Sequence, residues 1–145
     1  MKISKNKFLG MLLFLLISSI SISGQYKDAL ISRMSDFRNS VFANADEGND
    51  FEQKEALRKT EEEWDKELNI VYQKIMKVAD AVTKNKLRNA QRAWIKFRDF
   101  EVEKSYYTNN PNGGSMGILF SLNTATKLTE ERAVQLAEMY DALDK

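Results

Sequence analysis

The feature that most constrains the fold is an apolar stripe in the middle of the chain. Its members recur at alternating intervals of four and three residues, and only one of them, Glu61, is polar. This spacing keeps one side of a long helix apolar and requires a partner helix along its length. The stripe comprises Leu57, Glu61, Trp64, Leu68, Val71, Ile75, Val78 and Val82.

Shorter runs with the same period predict helices before and after the stripe. A first helix is indicated by Tyr26, Leu30, Met34, Phe37 and Val41, and the polar residues 44–50 that follow predict a loop. A turn is expected at Asp80 or Thr83. The next helix resumes the period and should end by Tyr107 or Thr108; its apolar members are Leu87, Ala90, Trp94 and Phe97.

The strongest loop signal is TNNPNGGS at residues 108–115, which holds the only Pro and two adjacent glycines. Ile118, Leu119 and Leu122 predict a short helix after it. Thr129, followed by Glu130 and Glu131, is typical of the N-cap of a last helix. No alternating strand pattern competes, so the predicted fold class is all-α: a compact antiparallel bundle of about four to five helices.

The N-terminus has the pattern of a cleaved secretory signal peptide. Three lysines precede an apolar stretch at residues 8–17, and small residues end it at Ser23-Gly24. We place the cut between Gly24 and Gln25, with Ser23/Gly24 as the alternative site and an uncleaved membrane anchor as the competing interpretation. The predicted organisation is a signal peptide at 1–24, an N-terminal helix and loop at 25–50, and a helical domain at 51–145.

Composition excludes several classes of function for the exported chain. Cleavage removes three of the 22 basic side chains and none of the 21 acidic ones, which leaves a net charge of −2 and no basic bias for nucleic acid. The chain has no His and no Cys, so it lacks a Cys or His nucleophile, the usual zinc ligands, disulfides and a lipid-anchor cysteine. Acidic residues are plentiful, but nothing singles out a catalytic pair. We expect no enzyme activity, no cofactor and no metal.

Four ordered segments resemble the LprI-like family of small secreted bacterial proteins, which are described as lysozyme inhibitors. The resemblance covers roughly residues 51 to 140, and it rests on the following segments: LNIVYQKIM (68–76), KNKLRNAQRAWIKFRD (84–99), GGSMG (113–117) and LTEERA (128–133). Family members often carry Cys near the positions of Val102 and Thr124, so packing must replace any cross-link there.

The resemblance implies a protein partner, possibly lysozyme, and the best contact element is the loop 109–115. A lysozyme cleft is concave and works with a pair of carboxylates. The loop offers amides, a hydroxyl and glycines that permit close approach: Asn109, Asn110, Asn112, Gly113, Gly114 and Ser115. The alternative is a tight interhelical turn that needs glycine for geometry alone.

Charge is unevenly distributed between two parts of the chain. Residues 46–67 carry a net charge of −6, and residues 84–104 a net charge of +4. Complementary faces of neighbouring helices would explain this. The acidic stretch, with Glu61, Glu62 and Glu63 at its centre, could instead steer the protein towards a cationic enzyme such as lysozyme.

The remaining candidates are residues of the family segments, for which a structural role is the favoured interpretation. Trp64 and Trp94 are in phase with the apolar stripes, although either could anchor an interface. Arg98 could pair with a carboxylate inside the bundle or reach into a partner's acidic cleft. The full set is Leu68, Asn69, Tyr72, Gln91, Arg92, Trp94, Arg98, Asp99, Leu128, Thr129 and Arg132.

We therefore expect an exported, periplasmic or secreted binding protein that inhibits lysozyme by occluding its cleft. It should have no stable membrane anchor once the signal peptide is removed. The alternative is a structural or scaffolding envelope protein that binds another envelope component through a face of the bundle.

Overall fold

A computed structural model describes residues 24–45, 49–108 and 114–144 of the chain. These ranges fold into four helices: α1 (Gln25–Phe42), α2 (Asp50–Val78), α3 (Ala81–Thr108) and α4 (Ser115–Leu143). No residue within these ranges belongs to a strand. The predicted all-α fold class is confirmed, and four helices lie within the predicted range.

Side-chain caps explain where α2 and α3 begin. The Asn49 side chain accepts hydrogen bonds from the backbone N–H groups of Phe51 and Glu52, which satisfies two donors of the first turn of α2. Asp80 Oδ1 accepts from the N–H of Thr83 at 2.8 Å. This bond lowers the pKa of the Asp80 carboxyl, because it favours the charged form. The turn between α2 and α3 therefore lies at Asp80, one of the two positions that the sequence predicts.

The four helices run in alternating directions, with α4 at the centre. Close backbone approaches join α4 to each of the other helices, and α1 to α2. Chain neighbours α2 and α3 are antiparallel, because the chain reverses at Asp80 and Arg98, well along α3, reaches back to Asp65 in the middle of α2 at 3.6 Å. Their backbones stay further apart than those of α3 and α4, so a groove lined by side chains separates them.

The core fills the space between α1, α2 and α4. Trp64 is 5% exposed, as predicted for a residue of the apolar stripe. Burial of such side chains is the main favourable term in folding. The core residues are Leu30, Met34, Trp64, Leu68, Val71, Ile75, Ala79, Leu87, Ala133, Leu136 and Ala137.

Two details of the sequence-based prediction are wrong. The expected fourth and fifth helices are one continuous α4, and Thr129 is a fully buried residue in its interior rather than an N-cap. Phe97, Val78 and Val82, which were assigned to the apolar stripes, are about half exposed or more. The stripe of α2 ends because the chain turns at Asp80, and α3 presents a different side to its neighbours.

The short helix α1 is held by other helices at its first turn and at its middle. Its N-cap residue, Gly24, has no side chain that could accept hydrogen bonds from the N–H groups of the first turn. Instead, Asp141 of α4 accepts hydrogen bonds from the N–H groups of Tyr26 and Lys27 at 2.9 and 3.0 Å. Further along α1, Arg33 forms a bidentate pair with the buried Glu67 carboxylate of α2. Apolar contact and two polar ties therefore fix α1 on the bundle.

Candidate functional site

The connection from α3 to α4 contains the predicted contact loop, and its last two residues are firmly held. Asn109, Asn110, Asn112 and Gly113 lie outside the described residues. Gly114 has φ +84°, a conformation that favours glycine, and its N–H donates to the Tyr106 hydroxyl at 3.0 Å. The Ser115 hydroxyl accepts a hydrogen bond from the Lys54 ammonium of α2. The chain that leaves the loop is thus tied to two other helices.

A close approach of two helices accounts for the last glycine of the GGSMG segment. Gly117 is buried, and a Cβ added there would lie 2.9 Å from Tyr106 Cε2 and 3.0 Å from the Tyr106 carbonyl oxygen. Only glycine lets α4 pass this close to α3. Packing explains Gly117, and loop conformation explains Gly114, without any reference to a partner.

Four of the family-segment residues line one groove, between α2 and α3. The groove has a volume of about 290 Å³ and is lined by Asn69, Tyr72, Arg88, Gln91, Arg92 and Ile95. Two tethers position its amides: Asn69 Nδ2 donates to the Asp65 carbonyl at 2.8 Å, and the Gln91 side-chain oxygen accepts from Arg132 Nε of α4. The groove therefore presents amide, phenol and guanidinium groups side by side.

Arg98 is engaged on several sides by its own chain. Its guanidinium lies over the Trp94 ring at 5.2 Å. Its nitrogens are 3.6 Å from Asp65 and 3.0 Å from Asp99. A guanidinium shared between two carboxylates and an aromatic face has little capacity left for another ligand. This geometry favours a role for Arg98 in holding α3 against α2.

The three glutamates proposed for steering have different surroundings. Glu62 pairs with Arg58, and Glu63 pairs with Lys66 at 2.8 Å. Glu61 is half-buried beside Arg98 and has no ion pair within the described ranges. Burial, followed by the nearby Asp65 carboxylate, raises the pKa of Glu61.

The other family-segment residues lie in or near the packed interior. Leu68 is buried in the core, and Leu128 is half-buried. The Thr129 hydroxyl is buried, and no hydrogen-bond partner for it lies among the described residues. Arg132 donates to two neutral amides, of Gln91 and Gln135, and burial lowers its pKa. Arg92 is exposed on the rim of the α2–α3 groove.

Sequence reasoning missed the groove between α2 and α3 and the tie between Lys54 and Ser115. Both depend on which helices become neighbours, which no local pattern reports. Residues 24–45, 49–108 and 114–144 contain no cluster of His, Cys, Asp and Glu suited to a metal ion. None of the four helices is long and apolar enough to cross a bilayer.

These features define an all-α domain whose recognisable elements are a tethered interhelical connection and a polar groove. The family model described as "Lysozyme inhibitor LprI" matches residues 43–136, from the end of α1 through most of α4. The protein belongs to this family, as the resemblance predicts, and the family is one of inhibitors rather than enzymes. Comparison with curated proteins and with solved structures gives no match.

Proposed function

We propose that this protein is an exported inhibitor that binds lysozyme and occludes its substrate cleft. The observation that carries the proposal is membership of the LprI lysozyme inhibitor family across residues 43–136. That range includes α2, α3, the α3–α4 connection and most of α4, so every candidate contact element belongs to the shared part of the chain.

The loop 109–115 is the proposed contact element. Its amides and hydroxyl suit the carboxylate pair of a lysozyme cleft, since each can donate a hydrogen bond to a carboxylate oxygen. The tethers on Gly114 and Ser115 support this assignment. A segment whose end is already ordered loses less conformational entropy on binding, and less of the interaction energy is spent on ordering it.

The acidic part of the chain is the proposed source of long-range attraction. Ion pairs such as Glu63 with Lys66 do not cancel the charge of residues 46–67, because their basic members are already counted in the net value of −6. The field at a distance depends on this net charge. A cationic lysozyme would therefore be attracted to the α2 side of the bundle, and the attraction would weaken as salt is added.

Lysozyme clearance of a cell-wall suspension, with increasing amounts of the protein, tests the proposal. The triple variant Asn110→Ala, Asn112→Ala and Ser115→Ala should weaken inhibition chiefly by faster dissociation. A matched triple outside the loop, Gln73→Ala, Asn85→Ala and Asn89→Ala, removes three exposed amides from α2 and α3 and should inhibit like the parent protein.

A second variant tests the steering step by itself. Changing Glu61, Glu62 and Glu63 to Gln should slow association and flatten its salt dependence, with a smaller effect on dissociation. If the folded protein inhibits no lysozyme type at micromolar concentration, the proposal fails and the scaffolding function takes its place.

Export is proposed on the N-terminal pattern of the sequence. Mass spectrometry of the protein from its native source should find a chain that begins at Gln25 or Gly24. A chain that still begins at Met1 would contradict both the cleavage and the proposed location outside the cytoplasm.

A further inference from the structure

The exposed side of α3 differs in charge from the rest of the molecule. Residues 81–98 contain six basic residues and no acidic one. Of these bases, Arg98 is paired with carboxylates, whereas the four cations Lys86, Arg88, Arg92 and Lys96 have no ion pair within the described ranges. Self-pairing therefore leaves four cations of α3 without an ion pair. Lys86 and Lys96 lie on its outer side, whereas Arg88 and Arg92 line the α2–α3 groove.

Large apolar side chains share this side of α3 with the lysines. Phe97 is 52% exposed, Phe100 is 63% exposed and Val82 is 65% exposed. Five full turns separate Val82 from Phe100, so both point the same way, and Lys86 and Lys96 lie within about 40° of that direction. Aromatic rings and lysines thus share one side of α3, which we call the α3 face: Val82, Lys86, Lys96, Phe97, Phe100 and Tyr107. Its C-terminal part also carries one exposed acid, Glu103.

We propose that the α3 face docks reversibly on an anionic phospholipid bilayer. Rings of Phe97 and Phe100 would enter the boundary between headgroups and acyl chains, and the lysines would lie against lipid phosphates. A helix that combines apolar rings with free lysines is suited to this interface, since lysine stems are apolar and their ammonium groups reach the anionic surface. The docking involves no segment that crosses the bilayer.

Charge argues against two other occupants of the α3 face. A cationic lysozyme would be repelled by it, so the face is separate from the proposed inhibitory contact. A second copy of the chain could offer the net negative charge of α2, but the carboxylates there alternate with bases that pair with them, such as Glu62 with Arg58 and Glu63 with Lys66, so it would match the α3 face less well than a bilayer. An anionic bilayer supplies the complementary charge at high density.

A single-cysteine label provides a direct test, because the chain contains no Cys of its own. Phe100→Cys, carrying a polarity-sensitive fluorophore, should brighten with vesicles of phosphatidylcholine and phosphatidylglycerol, and not with phosphatidylcholine alone. The matched label is Phe51→Cys on α2, where the side chain is 75% exposed and is not part of the α3 face. Its fluorescence should not change, and the full-length chain is used for both labels.

Charge-neutral variants measure the contribution of the lysines. Each basic residue near an anionic surface is worth about fivefold in partitioning, so Lys86→Gln with Lys96→Gln should weaken vesicle binding about 25-fold. The matched pair Lys77→Gln with Lys127→Gln, at exposed positions of α2 and α4, should bind like the parent. Both pairs should melt and inhibit lysozyme like the parent, which separates this proposal from the inhibitory one.

Four outcomes would overturn the proposal. They are no change at position 100 with anionic vesicles, an equal change at position 51, and full binding by the Lys86 and Lys96 variant. The fourth is brightening at position 100 in the absence of vesicles. If it rises with protein concentration, the α3 face mediates self-association. If DNA produces it to the same extent as vesicles, the face binds polyanions without selectivity.

Discussion

The close contact of Gly117 with Tyr106 gives a prediction whose sign opposes the usual effect of the substitution. Replacing a glycine in a helix interior with alanine normally stabilises the helix by about 1 kcal/mol. At Gly117 the new methyl group would lie 2.9 Å from Tyr106 Cε2 and 3.0 Å from the Tyr106 carbonyl oxygen. The ring can rotate, but the carbonyl belongs to the backbone of α3, so the two helices must move apart.

The expected size follows from three contributions. Overpacking of this kind costs about 1–3 kcal/mol. Movement of the Tyr106 ring also strains the hydrogen bond that its hydroxyl accepts from the Gly114 N–H, which is worth about 1 kcal/mol. After subtraction of the propensity gain, Gly117→Ala should lower the free energy of unfolding by about 1–3 kcal/mol. The melting temperature should fall by about 3–6 °C for each kcal/mol that is lost.

Thermal and urea denaturation followed by circular dichroism measure this loss. The matched control is Asn123→Ala, at an exposed position of the same helix, where the methyl group has space and propensity should add about 0.5 kcal/mol. If Gly117→Ala raised the free energy of unfolding as much as Asn123→Ala does, the predicted clash between α4 and α3 would be refuted.

Three further substitutions test other contacts. Arg33→Ala leaves the Glu67 carboxylate buried without its bidentate partner and should lower the free energy of unfolding by about 2–4 kcal/mol in urea, and a second change, Glu67→Gln, should recover part of this loss. The pKa of Glu61 is raised in the folded state, so the stability that it lends is present below its ordinary pKa of 4.5 and is lost as the pH rises through the higher folded value. Glu61→Gln should therefore raise the melting temperature at neutral pH and change it little in acid; the same shift at both would contradict this. Trp94→Ala should cost about 2–3 kcal/mol, less than for a fully buried ring, and a loss under about 0.5 kcal/mol would place the ring outside the packed interior.

The sequence predicts α2 and the start of α3 because local and long-range requirements agree there. The interval pattern that buries Trp64 and Leu68 also fixes the phase of the helix, and Asp80 both ends one helix and caps the next. When propensity, capping and burial favour the same structure, a local pattern is sufficient.

The division of α4 was predicted wrongly because a local cap signal competed with packing. Thr129 followed by two glutamates is a good start for a helix, yet the threonine is fully buried and the helix runs on through it. Its contacts with the three other helices stabilise α4 over its whole length, and they outweigh a cap worth about 1 kcal/mol.

The phase of α3 was predicted wrongly because polar residues occupy part of its inner side. Gln91 and Ser105 are buried, whereas Phe97 is half exposed. Gln91 can be buried because Arg132 of α4 donates a hydrogen bond to it. A buried polar group without such a partner would destabilise the fold. A hydropathy pattern contains no record of that pairing, so the groove could not be predicted either.

The cap that Asp141 supplies to α1 ties the order of synthesis to the order of folding. Among the described helices α1 leaves the ribosome first, but the carboxylate that satisfies its N–H groups is separated from Tyr26 by 115 positions. Until that residue has been made, Leu30 and Met34 lack the α4 surroundings that bury them in the finished molecule. The caps of α2 and α3, Asn49 and Asp80, are local in the sequence and can form much earlier. The first helix to be synthesised is therefore the last to receive its cap.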